Sequence, residues 1–467
     1  MTAHGSRPPD PLPSNVSSNP LPGPAPGGQS STVKGAALAL GLLLGINLFN
    51  YIDRQILSAN LEDIEKDFTS RGETISQTQL GLLATAFMVA YMVFAPVFGW
   101  LADRMSRWHL IGIGVILWTL ASGASGLAGS FTVLLLTRCA VGVGEAAYGP
   151  IAPAVISDLY PVEKRGQVLS WFYVAIPVGS ALGYILGGQL GWPNSFFWVV
   201  PPGLALGIWC FLMPEPKRGQ TDLSGAASVR HVTLKDYLRL LKNRSYVLDT
   251  LGMTGMTFAL GGIAHWMPYY MTDRYRELFP GADFDAKKVV NGIFGPVVVV
   301  SGLAATILGG LAGDWLRPKV AGSYFLVSAI AMFVGFPLFL AVLYVPVAPG
   351  TVWILWTLIF LTCFCLFFNT GPTNTILANV THPALRAPAY ALNILVIHAL
   401  GDALSPTLIG FVADVTGVSG PDGKTIPNRT AGFLAVSGLI LLGGLFWLIG
   451  TKFLARDTAN APRQLDD

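Results

Sequence analysis

Ionisable side chains set inside long apolar runs are where chemistry is to be sought in this chain. Four stand out: Asp53 and Arg54 in the run 35–60, and Arg138 and Glu145 in the run 131–158. At bilayer depth such a group costs about 2.5–3.5 kcal/mol on insertion scales, so its presence usually marks a proton, ion or substrate path. Arg138 and Glu145 are seven residues apart, which puts them on one helix face two turns apart. A helix entering near Lys34 carries Asp53 roughly 28 Å along its axis at 1.5 Å per residue. A helix descending from about 131 puts Arg138 about 10 Å below the opposite boundary and Glu145 near mid-depth. Asp53 and Arg138 then stand at similar heights, and Arg54 comes within reach of Glu145. Protonating such a carboxylate releases the guanidinium beside it, which is the chemistry of proton coupling. Glu145 is the main candidate, with Asp53, Arg54 and Arg138 around it; two buried structural ion pairs are the other reading. Asn47 and Asn50 add polar groups to the same stretch.

The elements that hold these groups must be membrane helices. Of 467 residues, 52% are hydrophobic and only 12% charged, against a usual charged share of about 25%. A surface of this size cannot be kept in water by so few charges. Apolar runs of spanning length, about 17–25 residues, fall near 35–60, 77–102, 109–128, 131–158, 166–191, 194–213, 246–272, 289–313, 320–344, 351–379, 387–413 and 431–455. The fold class is therefore an all-α membrane protein of twelve transmembrane helices in two pseudo-symmetric six-helix bundles. The domains are a disordered cytoplasmic tail (1–33), an N-terminal bundle (34–213), a cytoplasmic linker with a basic amphipathic helix (214–245), a C-terminal bundle (246–456) and a cytoplasmic tail (457–467). The first 33 residues are rich in Pro, Ser and Gly, too poor in apolar side chains to order themselves and without the apolar core of a signal peptide.

Loop charge sets the orientation. With alternate loops assigned to opposite faces, 19 of the 29 Lys and Arg fall on the side of the N-terminus and 8 on the other; the remaining two are Arg54 and Arg138. The positive-inside rule then makes both termini cytoplasmic, in an inner (plasma) membrane. A net charge of +3 is too small for nucleic-acid binding. Cys139, Cys210, Cys363 and Cys365 fall inside apolar runs with neither a disulfide nor a metal-site spacing.

The halves repeat. Gly99–Arg107, after the second helix, is echoed by Gly310–Arg317 after the eighth, with Asp314 lying 211 residues beyond Asp103. At an offset of 222, Pro150, Pro161 and Gly179 correspond to Pro372, Pro383 and Gly401. Duplication on this scale is the construction of secondary transporters, whose substrate site lies between the repeats at mid-membrane. At that offset Arg138 and Glu145 correspond to Phe360 and Phe367, so the ionic equipment belongs to the N-terminal half alone.

Gly99, Asp103, Arg104 and Arg107, with the degenerate copy carrying Asp314 and Arg317, resemble the signature of the major facilitator superfamily. The glycine would permit close helix approach, Asp103 would meet a helix N-terminus, and the arginines would pair across the cytoplasmic face as a gate. Arg138-x3-Gly142-x-Gly144 resembles a second motif of that superfamily, in which the arginine is tied to proton coupling. In combination with Asn50-Tyr51-Ile52-Asp53-Arg54, Glu145-Ala146 and Asp158-Leu159-Tyr160-Pro161, it is similar to the Spinster family. That resemblance implies a proton-linked carrier of lysolipids, sphingoid phosphates or other amphipathic, drug-like molecules, working by alternating access and functional as a monomer. A proton-coupled organic-anion symporter for small polar solutes is the alternative, because such symporters carry similar Arg-x3-Gly-x-x-Glu helices.

The expected cavity has a charged wall (Asn50, Arg54, Arg138, Glu145) and an apolar one along the tenth helix (Phe360, Phe364, Phe367, Phe368), of which not all four can face inward. His398 and Asp402, one turn apart, fit a packing pair and a coupling or substrate role equally well; His265 reads as a satisfied cavity-lining group. No nucleophile with a base, paired metal ligands or phosphate-binding loop is present, so an enzyme is not expected, nor a metal or cofactor. Gly179, Gly183 and Gly187 read as a helix-packing stripe near the cavity and at the interface between the halves.

Overall fold

Inside a bilayer every backbone N–H and C=O must be paired within the chain, which leaves helices as the solution for runs of this length. The computed structural model describes residues 33, 35–218, 234–281, 283–346, 348–382, 385–419 and 425–464. Residues 1–32 of the tail expected over 1–33, the linker stretch 219–233, residues 465–467 of the C-terminal tail and Pro383 of the internal echo lie outside them. Among the described residues nineteen α-helices follow in order. The first nine are α1 Ala36–Ala59, α2 Leu61–Ser70, α3 Gln77–Ala102, α4 Arg107–Gly126, α5 Phe131–Ala146, α6 Ile151–Leu159, α7 Val162–Leu190, α8 Asn194–Trp198 and α9 Val200–Cys210. Then come α10 Leu234–Lys242, α11 Arg244–Leu278, α12 Ala286–Leu316, α13 Ser323–Tyr344, α14 Val352–Phe368, α15 Thr370–Asn379, α16 Arg386–Ile397, α17 Ser405–Val415, α18 Arg429–Gly450 and α19 Leu454–Asn460.

Eleven spans among the described residues are long and apolar enough to cross a membrane. The twelfth expected span, 194–213, is the pair α8–α9, broken at Val199. Three other expected spans are also jointed: α5–α6 before Pro150, α14–α15 at Asn369, and α16–α17. Between α16 and α17 a single wide, π-type turn covers His398–Asp402, with Gly401 out of helical geometry at φ −103° and ψ −108°. Proline and glycine cause these joints, and packed neighbours re-satisfy the freed backbone groups.

The glycine stripe of α7 lies against α1, a packing role as expected but within the N-terminal half rather than between the halves. A Cβ on Gly179 would stand 2.6 Å from the Leu48 carbonyl oxygen, and one on Gly183 2.6 Å from that of Ile52. The two halves meet through α3 against α17 and α7 against α12. Here too the backbones nearly touch at three points, where Gly81 faces the Pro406 carbonyl, Gly410 that of Gln77 and Gly295 the Ala181 backbone, while Gly188 makes room for the Asn291 side chain. All of these contacts gather toward the end of the molecule that carries α2. The opposite end, bearing the Asp103 and Asp314 loops, is called the loop end below.

Helix α2 was not foreseen. Leu61, Ile64 and Phe68, buried at helical spacing, fix it on the bundle, while Glu62, Asp63 and Glu65 project from its other faces.

Candidate functional site

A cavity of about 310 Å³ lies between the halves, lined by α1, α3, α5 and α7 on one side and by α11, α12, α14 and the wide turn on the other. Arg54 reaches into it from α1. Its Nη2 is 2.6 Å and its Nε 2.8 Å from Glu145 Oε2 on α5, an ion pair formed as the helix heights suggest. The Glu145 side chain is fully buried, whereas Arg54 is 21% exposed. Three rings surround the Arg54 guanidinium: Phe87 at 4.9 Å, Tyr51 at 5.0 Å and Tyr91 at 5.7 Å from their centroids. Such cation–π contacts hold a cation in apolar surroundings without neutralising it. Phe87 also faces Arg138, at 5.9 Å. This sharing depends on close α3–α5 packing, since Gly142 stands directly against the Phe87 carbonyl.

The four charges lie near one another, but direct contact joins only Arg54 and Glu145. Arg54 and Arg138 line the cavity; Glu145, and Asn50 one turn before Arg54, are buried behind that wall. Asp53 turns away into the N-terminal half and accepts a hydrogen bond from Ser122 Oγ on α4. No ion pair joins Asp53 to Arg138 among the described residues, and Arg138 Nε and Nη1 are buried without a hydrogen-bond acceptor. The charged wall thus presents cations to the cavity and keeps its carboxylates behind them.

The facing wall mixes apolar and polar groups. Phe294, Cys363 and Phe367 line it, with His398 and Asp402. His398 Nδ1 is 2.9 Å from Asp402 Oδ1 across the wide turn. The placement of Phe364 corrects the sequence reading. It lies with Phe368 in a separate apolar groove among α12, α13 and α14, outside the cavity. Helical spacing is the reason: Phe360, Phe364 and Phe368 stack at i, i+4, i+8, while Phe367 shares the other face with Cys363. Overhead, His265 bridges the halves, 3.4 Å from Ser58 Oγ and 3.3 Å from the Leu80 carbonyl oxygen.

At the loop end each copy of the repeated motif is tied into its own half. Arg107 is buried against Asp158, Glu215 Oε1 at 2.8 Å and the Pro216 carbonyl at 2.9 Å. Arg218 donates to the carbonyls of Ala102 and Asp103, and Arg104 folds back over Trp100 at 4.0 Å. Asp314 accepts from Tyr324 OH at 2.7 Å, with Arg317 beside that tyrosine. Among the described residues no hydrogen bond or ion pair joins the two loops. Gly99 and Gly310 have nothing within 4 Å of a Cβ, so the helix approach expected of Gly99 is not made in this state. Partial burial acts against the Glu215 carboxylate, but donors from Arg107, Ser106 and the Trp108 amide hold it below the usual range. Glu215 and Arg218 stand at the start of the linker 214–245.

Among the described residues the ion pairs between halves sit at the α2 end, while Thr85 with Ala403 and Thr407, and Tyr184 with Ala264, join the halves by hydrogen bonds at cavity depth. Arg276 pairs with Glu62, and Lys287 pairs with Asp63 and donates to Asn60 Oδ1 at 2.8 Å. Tyr269 OH donates to Glu65 at 2.5 Å, and Arg429 Nε to Gln77 Oε1 at 3.0 Å. Sequence reasoning missed this network. Its signal was the apolar spacing of Leu61, Ile64 and Phe68 within an acidic stretch.

The Major Facilitator Superfamily profile matches residues 43–406. Protein spinster homolog 3 of Danio rerio is 36% identical over 442 residues, covering 91% of this chain and 86% of the relative. The sphingosine-1-phosphate transporter SPNS2 of Mus musculus is 33% identical, covering 92% of this chain and 79% of the relative. In fold, the chain resembles a bacterial homolog of the human lysosomal transporter Spinster in an inward-facing, unoccupied conformation. The TM-score is 0.73 at 19% identity, over 93% of this chain and 99% of that one. A D-xylose–proton symporter follows at a TM-score of 0.65 and 18% identity, over 88% and 96%. The chain therefore belongs to the Major Facilitator Superfamily and, within it, to the spinster family of membrane transporters, not to the enzymes.

Proposed function

We propose that this transporter carries amphipathic molecules with a charged head group by proton-linked alternating access. The observation that carries the reading is the cavity itself, with the Arg54 and Arg138 guanidinium groups on one wall and Phe294 and Phe367 on the other. A pocket with a few convergent polar groups opposite an apolar surface suits a molecule with both kinds of surface. An anionic head would meet Arg138, which has donors to spare, and Arg54, whose carboxylate partner stands outside the cavity. The tail would lie toward Phe294 and Phe367. The sphingosine-1-phosphate transport named for relatives supports a lysolipid or sphingoid phosphate as the substrate type.

Proton linkage rests on the Arg54–Glu145 pair. Protonating Glu145 would remove the charge that holds Arg54 and leave the guanidinium for the head group. Residues 34–213 and 246–456 would be the rocking units, joined by 214–245. With the loop end and both termini cytoplasmic in a plasma membrane, the arrangement described here is the inward-facing state of a single working chain.

Flux in proteoliposomes, with and without an imposed pH gradient, tests the reading. A lysolipid should accumulate faster with the gradient, and drug-like amphiphiles should compete for the same site. Gradient-driven uptake of a small polar anion without response to any amphiphile would select the organic-anion symporter instead. Tight hexose binding would overturn both.

A further inference from the structure

We infer that Asp414 is a gating residue, a carboxylate on one half that caps a helix of the other and so holds the α2 end shut. Asp414 stands in the last turn of α17. Its Oδ1 accepts from the Gln77 amide at 3.0 Å, and its Oδ2 from the Thr78 amide at 2.8 Å and Thr78 Oγ1 at 2.6 Å. Gln77 and Thr78 open α3, in the N-terminal half. The first amides of a helix have no partner of their own. Here Ser76 takes the Gln79 amide in a capping box, and Asp414 takes the two that the box leaves.

The position of the carboxylate makes the contact conditional. A negative charge at a helix C-terminus is disfavoured by that helix's own dipole, whereas one at an N-terminus is favoured. Asp414 is on the wrong end of α17 and is stabilised by the right end of α3. Donors and acceptor belong to different halves, so the stabilisation exists only while those halves are in contact. Gly410, one turn earlier on α17, brings the backbones close enough, since it lies directly against the Gln77 carbonyl. Arg429 Nε holds Gln77 Oε1 from the same side. When the α2 end opens, the carboxylate returns to water at an unfavourable helix end and α3 loses two capped amides. Asp414 therefore sets the balance between the two states of the carrier, whatever it carries.

Distances between spin labels on the intact protein in nanodiscs test this. One pair, at Thr74 and Asp283, spans the α2 end; another, at Met105 and Lys319, spans the loop end. In Asp414→Ala and Asp414→Asn the ratio of α2-open to α2-closed molecules should rise about tenfold or more, given that charge-assisted bonds are roughly twice as strong as neutral ones. The loop-end distances should shorten in parallel, which mere loosening of the fold would not produce. Thr78→Val, which removes one donor and no charge, should shift the ratio the same way by less, and it decides if the Asp414 variants do not fold. Unchanged distributions in the folded variants would overturn the assignment. A wild-type protein fixed in one distribution under every pH and ligand would instead defeat alternating access itself.

Discussion

Replacing Glu145 by glutamine tests whether Arg54 serves the substrate or only the fold. At 2.6 Å and an effective dielectric near 20, the gross attraction of the pair is about 6 kcal/mol. Breaking a buried pair by removing one partner costs about 3–5 kcal/mol, because a charge is left uncompensated. Arg54 belongs at the lower end of that range: it is 21% exposed to the cavity, and three rings enclose it. An anionic ligand that meets the freed guanidinium recovers part of this cost, about 1–3 kcal/mol, or roughly 5–150-fold in affinity. The assay is a titration in nanodiscs of an anionic lysolipid and an uncharged analogue with the same tail. In Glu145→Gln the anionic ligand should bind at least about tenfold tighter and the uncharged one within about twofold of wild type. Wild-type affinity for the anion should tighten as pH falls and Glu145 is neutralised; the variant should be flat at the tight limit. Equal change for both ligands, or a pH response that survives the substitution, would refute the role of this pair and move it to Asp53.

Other outcomes follow from contacts elsewhere. Gly81→Ala or Gly188→Ala places a methyl against the opposite half, so label distances should show the α2 end open more often while the thermal midpoint of the separate halves is little changed. Gly309→Ala instead overlaps the Phe368 carbonyl within the C-terminal half; overpacking of that kind costs about 1–3 kcal/mol or more, read as a lower thermal midpoint in either state. Phe367→Ala should weaken amphiphile binding and Phe364→Ala should not, because only the former lines the cavity. Glu215 is held below its usual pKa in the folded protein. Its contribution is therefore fully present above the unfolded value of about 4.3 and is lost as pH falls through the lower folded value. The protection factors of amides over residues 104–109, corrected for the intrinsic exchange rate, should accordingly be steady near neutral pH and fall in acid, whereas Glu215→Gln should lower them at neutral pH.

The ion pair between Arg54 and Glu145 was legible in the sequence because two facts suffice for it: the rise of a helix and the depth at which each helix enters. The same arithmetic failed for Asp53. Height along the membrane says nothing about azimuth, and Asp53, one residue from Arg54, points about 100° away into α4, where Ser122 receives it. Phe364 failed for the same reason, three residues from Phe367 yet on another face. The spans themselves were plain, since hydropathy reports lipid exposure. Their joints at Val199, Asn369 and Gly401 were not, because whether a glycine or proline breaks a helix is decided by neighbours that re-satisfy its backbone. The gate was least legible. Asp103 and Asp314 drew notice through repetition, but their partners depend on which end of the molecule is closed, and a sequence encodes both states at once.

That last point explains why the closed end is built as it is. A gate that must open to water cannot be sealed by a large apolar contact, since each Å² re-exposed costs about 25 cal/mol. At the α2 end the side chains that join the halves are instead polar, with one member of each pair open to water: Arg276 is 42% exposed against 4% for Glu62, and Asp63 29% against 7% for Lys287. With one member exposed and one buried, each pair lies between a surface ion pair, worth about 0–1 kcal/mol, and a buried one, whose breaking costs about 3–5 kcal/mol. Close packing at Gly81, Gly188, Gly295 and Gly410 adds surface complementarity without interlocked side chains, so the halves can part as rigid bodies. In the proposed cycle, links of this kind would keep the two states within the few kcal/mol that a bound ligand can overturn. Among these links Asp414 is the one whose worth depends on a helix dipole in each half, which ties it to the closure of the α2 end more strictly than a surface ion pair can be.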